Sequence, residues 1–223
     1  MDWFPLLNSL RVAVISAVIV FFLGVAAAYY VAKLPRALKG ALDVIFTLPL
    51  VLPPTVVGFL LLMLLGPRRV IGAWMLEHFA VKLTMQWWSA VFAVSVVAFP
   101  LMYRTARGAF ESFDETLAQA GQTLGLSNPY IFWRIRMPAC RQGILAGVVL
   151  AFARALGEYG ATSMLIGYTP GRTATIATTV YQLWRTNDEA GAMLWVLVNL
   201  AISAVVLLVV NLLEDRQKKA VKR

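Results

Sequence analysis

The stretch LRVAVISAVIVFFLGVAAAYYVA, Leu10 to Ala32, decides the class of fold. Its single charge, Arg11, stands at the outer end, and apolar residues fill the rest as a block instead of recurring on one face. A helix built from such a block has no polar side to turn toward water and calls for an apolar solvent. A bilayer core of about 30 Å takes about 20 residues of helix at about 1.5 Å per residue. The run is long enough to cross it.

Working outward, four further blocks have the same character: roughly Leu42 to Leu65, Trp87 to Tyr103, Gln142 to Ile166 and Ala192 to Leu213. The whole 223-residue chain is 60% hydrophobic and 14% charged, where a soluble domain averages about 45–50% and about 25%. The pattern predicts an all-α integral membrane protein of about five transmembrane helices, a single domain over residues 1–223. Ala26, Ala27 and Ala28 resemble a signal-peptide cleavage site. The leader, however, sets only Arg11 against Asp2, and the apolar run exceeds a signal core. The first span is expected to stay in the protein.

The net charge of +9 reads as topology. Lys33, Arg36 and Lys39 follow the first span; Arg104, Arg107, Arg134, Arg136 and Arg141 follow the third; Arg216, Lys218, Lys219, Lys222 and Arg223 end the chain. The opposite side of a five-span arrangement holds fewer cations: Arg11, Arg68, Arg69, Lys82, Arg172 and Arg185. Basic loops stay in the cytoplasm, so the N-terminus is expected outside and the C-terminus inside. The tail 214–223 then reads as a solvated or headgroup anchor. Trp3, Trp74, Trp87, Trp88, Trp184 and Trp195 fall near span ends, as aromatic rings at membrane interfaces do. No basic run stands on a soluble face, which argues against a nucleic-acid partner. One cysteine, Cys140, and one histidine, His78, give no disulfide and no metal cluster.

Two spans carry unusual residues. In the second, Pro49, Pro53 and Pro54 interrupt the helix, and Gly58 follows. Each proline removes a donor and clashes with the preceding turn. In a membrane such a break is tolerated where protein packs around it or a wet cavity adjoins it, and transporters build pathways from interrupted helices. A packing kink and a translocation path fit equally well. In the fourth span Gly143, Gly147, Ala151 and Ala155 recur every four residues, a face that admits a close neighbour helix. Internal packing and subunit pairing both fit that face. Arg154 and Glu158, four apart, form an ion pair at membrane depth, either structural or part of a gate, flanked by Gly157 and Gly160.

The connection 112–138 is interrupted by turn residues. Ser112-Phe113-Asp114-Glu115 reads as a capping box, Leu117, Gly121 and Leu124 form a narrow stripe, and Gly125 ends the helix. Asn128 and Pro129 open a second short helix that Pro138 stops. Two short helices in the cytosol suit a partner's groove as well as a lipid surface.

Within this loop, Gln119-Ala120-Gly121, three residues, Gly125, nine residues and Ile135-Arg136-Met137-Pro138 resemble the "EAA" loop of bacterial ABC importer permeases. The spacing matches throughout, with Gln119, Gly121 and Met137 in place of Glu, Ala and Leu. Leu48–Gly58 (LPLVLPPTVVG), Gln122–Gly125 (QTLG), Phe152–Thr162 (FARALGEYGAT), Pro170–Thr173 and Thr175-Ile176 resemble the molybdate permease branch, with sulfate and tungstate permeases as relatives. The resemblance covers roughly residues 40–185. It implies the type I importer permease fold in a bacterial inner membrane and a homodimer. It also implies two copies of a cytoplasmic ABC ATPase carrying ATP-Mg and an external oxyanion-binding protein. The same resemblance lays Glu115, Leu117, Gln119, Ala120, Gly121, Leu124 and Gly125 in the ATPase groove. No G-x-x-x-x-G-K-[ST] run occurs, so no cofactor is expected on this chain. An intramembrane enzyme lacks a nucleophile–base pair within the spans. A scaffold subunit would explain the spans but not the proline break and the docking helices together.

Overall fold

The computed structural model describes residues 2–221, with side chains through residue 208. Among the described residues every regular element is helical. In chain order they are α1 (Phe4–Ala32), α2 (Arg36–Val51), α3 (Pro54–Leu65), α4 (Val70–Phe79), α5 (Ser89–Glu111) and α6 (Glu115–Thr123). There follow α7 (Asn128–Ile131), a π-helical turn (Phe132–Arg136), α8 (Met137–Ala139), α9 (Arg141–Leu156), α10 (Gly160–Ile166), α11 (Ile176–Arg185) and α12 (Glu189–Val221). The basic tail from Glu214 lies outside the residues whose side chains are described.

Among the described residues three helices are long and apolar enough to cross a membrane: α1, α5 and α12. Two bent pairs raise the number to five: α2 with α3, at 110°, and Asn128–Ala139 with α9, at 74°. The sequence placed the fourth span at Gln142–Ile166 as one helix. It is instead two, because α9 ends at Leu156 and α10 starts at Gly160. The third runs two turns past its expected end at Tyr103, to Glu111.

The core is built on α5. Ser16 Oγ donates to the Val91 carbonyl at 3.3 Å, Gly24 faces Met102, and Tyr29 meets Phe110 with ring centroids 5.8 Å apart. Residue numbers rise together, so α1 and α5 are parallel. On the other side Gly143 faces Ala109 and Gly147 faces Met102, so α9 is antiparallel to α5. A Cβ on Gly24 would lie 2.7 Å from Met102 Cγ, and one on Gly147 would lie 2.9 Å from its Sδ. Met102 is thus held from both sides and is fully buried. Ala151 and Ala155 are buried as well. The small-residue face of α9 is spent on packing inside the subunit.

The extracore pieces are tied by hydrogen bonds. Asn8 Nδ2 donates to the carbonyls of Thr173 (3.3 Å) and Ala174 (3.0 Å), and the Ile176 N–H donates to Ser9 Oγ at 2.8 Å. These bonds hold the loop between α10 and α11 against the start of α1. Arg11 stacks on Trp87 at 3.4 Å from the ring centroid. By contrast, α2 has no buried residue.

Candidate functional site: paired helix breaks and a clamped loop

The three prolines of the second span have different places. Pro49 lies inside α2, Pro53 sits in the extended break, and Pro54 opens α3, where its missing donor is not needed. One turn on, Gly58 faces α10: a Cβ there would be 2.7 Å from Ala161 Cα and 2.9 Å from its carbonyl oxygen. The first residue of α10, Gly160, faces back, 2.9 Å from Pro54 Cβ and 3.1 Å from the Thr55 nitrogen by the same measure. Two interruptions about a hundred residues apart in sequence therefore touch, backbone to backbone, through two glycines.

Glu158 stands in the second interruption. Arg154 Nη1 lies 2.5 Å from its Oε2 as an ion pair, and its Oε1 accepts from the Ala161 N–H at 2.8 Å. Glu158 is buried, at 4% exposure, while Arg154 is partly exposed. The pair is not within one helix, as its i,i+4 spacing suggested. It spans the gap between the last turn of α9 and the first of α10. The carboxylate gives α10 the acceptor that its leading N–H groups lack.

The loop 112–138 differs from the sequence reading in four details. Ser112 does not cap α6: it closes α5, and its Oγ donates to the Ala109 carbonyl. Asp114 caps α6, accepting from the Thr116 hydroxyl at 2.8 Å and the Thr116 N–H at 3.0 Å, which together hold its carboxyl below the usual range. The cap of α7 is Ser127, not Asn128. Pro138 does not stop the helix; the chain passes through the π turn into α8 and breaks only at Cys140. The proline ring would collide with the carbonyl four residues back, and the wider π turn just before it accommodates the ring.

Glu115, free of any capping role, meets Arg136 in a two-pronged pair: Nη1 to Oε1 at 2.6 Å and Nη2 to Oε2 at 2.7 Å. The guanidinium also lies over Phe113 at 4.5 Å and Tyr29 at 5.6 Å. The hydrogen-bonded arginine lowers the Glu115 pKa despite partial burial, and the same bond raises that of Arg136. This clamp joins α6 to the π turn and to the end of α1. The expected stripe divides: Gly121 is buried against Ile131 and Ile135, whereas Leu117 and Leu124 point outward. Gln119, Ala120 and Gly125 are exposed beside them. Gly125 has φ +74°, the left-handed conformation that ends a helix.

One cluster escaped the sequence reading. Asp43 of α2 pairs with Arg107, and Tyr103 Oη donates to it at 2.5 Å; Lys39 pairs with Glu111, which Arg107 Nε reaches at 3.6 Å. This chain ties α2 to the C-terminal half of α5. The signal was available: Asp43 is an acid at the edge of an apolar block.

Up to five apolar spans, two of them broken, with a short amphipathic helix clamped at one end, describe a multi-pass membrane protein. The fold matches a bacterial ABC transporter that imports the acidic polysaccharide alginate, with TM-score 0.77 at 20% identity over 96% of this chain and 78% of that one. It also matches the inward-facing methionine ABC transporter MetNI, with TM-score 0.70 at 14% identity over 98% and 95%. The chain belongs to the family of binding-protein-dependent transport system inner membrane components, whose model matches residues 9–223. It is 38% identical to the molybdenum transport system permease protein ModB of Escherichia coli (strain K12), over 93% of this chain and 91% of the relative. A putative molybdenum transport system permease of Bacillus subtilis (strain 168) is likewise 38% identical, over 91% and 89%.

Proposed function

We propose that the protein is the permease subunit of an ATP-driven molybdate importer. The observation that carries this reading is 38% identity along nearly the whole chain to proteins described as molybdenum transport permeases. Tungstate or sulfate and thiosulfate are the alternative cargoes. The N-terminus lies outside and the tail inside, two copies form the pore, and an external binding protein delivers the oxyanion. Nucleotide binds to two cytoplasmic ATPase subunits and not to this chain.

The covalent and ion-paired path through the subunit supports a lever mechanism. ATP closes the ATPases, and α6, seated in their groove by Leu117, Ala120 and Leu124, moves with them. The Glu115–Arg136 clamp passes the motion to the π turn and α9. At the far end of α9, Glu158 carries it to α10 and, through Gly160 and Gly58, to the break in the second span. Hydrolysis resets the state, since each ligand favours a different conformation.

Uptake into vesicles holding the full complex, with labelled molybdate competed by tungstate and sulfate, tests the cargo. Sulfate competing as well as molybdate would remove the assignment. Gly125→Pro tests the docking: proline cannot adopt φ +74°, so the ATPase should no longer copurify although the permease still inserts. Unchanged yield of the complex counts against the docked helix.

A further inference from the structure

The structure assigns to this subunit a binding site for an anionic phospholipid, at a cleft where the end of α1 meets the start of the 128–139 segment. The cleft measures about 420 Å³ and is lined by Ala26, Tyr30, Lys33, Asn128, Phe132 and Trp133 among others. Among the described residues Lys33 is the only charged one in its wall, and no carboxylate lines it. Lys33 also borders the neighbouring polar cavity, but the carboxylates there, Glu111 and Glu115, are ion-paired with Lys39 and Arg136. Lys33 Nζ donates to Tyr29 Oη at 2.5 Å and sits 3.8 Å from that ring's centroid. An ammonium has three donors, so this contact orients the cation without neutralising it.

Position selects the occupant. Leu7, Val14, Val18, Phe22 and Tyr30 are exposed along one stripe of α1, which leads into the cleft. α1 has 29 residues, about 43 Å at about 1.5 Å each, which matches a bilayer with its headgroups. Lys33, just past its end, stands at headgroup level. Tyr30 and Trp133, 68% and 59% exposed, rim the cleft with the amphipathic rings that favour that level. An acyl chain would follow the stripe past Phe22 and Ala26, and the phosphate would meet Lys33. Asn128 lies on the same wall, its Oδ1 accepting from Gln122 Nε2 of α6 at 3.4 Å, which leaves its amide N–H groups as donors for the phosphate. The lipid would bridge α1 to the loop that carries α6.

The test uses the purified permease–ATPase complex and native mass spectrometry, with phosphatidylglycerol, phosphatidylcholine and inorganic phosphate as probes. Wild type should retain phosphatidylglycerol over phosphatidylcholine. Lys33→Gln should retain it about fivefold less well, and Lys33→Arg should restore it. Equal retention by wild type and Lys33→Gln overturns the site. Displacement by millimolar inorganic phosphate alone makes it a free-anion site and overturns the lipid. In a Cys140→Ala background, disulfide-linked dimers formed by Trp133→Cys would show that a second copy covers the cleft, and that also overturns it.

Discussion

Glu115 and Arg136 are the residues whose charges are most committed, and their pairing sets a pH range. The arginine holds the Glu115 carboxyl below its ordinary value, which is about 4.3. The clamp's contribution is therefore fully present above that value and is lost as the pH falls through the lowered one. Association of the ATPase should be flat from about pH 8 to about pH 5 and fall only below about pH 4. Arg136→Lys keeps the charge but loses the fork; we expect it to lower transport per ATP hydrolysed more than it lowers ATP hydrolysis itself. Matched losses in both would leave the clamp without a coupling role. Glycines make a second residue-scale prediction. Gly58→Ala places a methyl 2.7 Å from Ala161 Cα and should cost about 1–3 kcal/mol as overpacking. Gly40→Ala in α2 meets nothing within 4 Å and should stabilise by up to about 1 kcal/mol. Melting of the detergent-solubilised subunit reads both.

At the scale of elements, periodicity and composition were a good guide wherever one helix crosses alone. α1, α5 and α12 follow from apolar blocks, and α5 continues through its interior Pro100. Hidden from the sequence was what contact decides. Gly157 and Gly160 suggested a loosened helix, but a full break needs Glu158 to cap the new start at Ala161, and no local pattern announces that. Glu115 looked like a reciprocal cap because Ser112 stands three residues earlier; the partner that won, Arg136, lies 21 residues away. Asp43 was passed over because its cation, Arg107, lies on another helix. The docking residues were found by spacing, yet the turning of Gly121 inward and Leu117 outward depends on Ile131 and Ile135 beneath. One expectation follows for the paired breaks. Glu158→Gln keeps an acceptor for the Ala161 N–H but drops the charge facing Arg154, so it should leave folding yield near normal while slowing uptake. Uptake and detergent stability both at wild-type level would dismiss the bridge.

For the molecule as a whole, topology is the prediction that matters. In a Cys140→Ala background, Asp2→Cys should react with impermeant maleimide in intact cells, and Ser127→Cys only after the membrane is opened. Labelling of Ser127→Cys from outside would invert the subunit and remove the ATPase from reach of α6. The distribution of burial gives the whole its mechanics. Met102 is gripped by glycines of α1 and α9 at distances that leave no room for a methyl group, whereas α2 has no fully buried residue. We expect α1, α5 and α9 to move as one packed body and the internal rearrangement to come from the less deeply buried pieces around it, so a bulky probe attached to α2 should sense turnover and the same probe on α5 should stay silent.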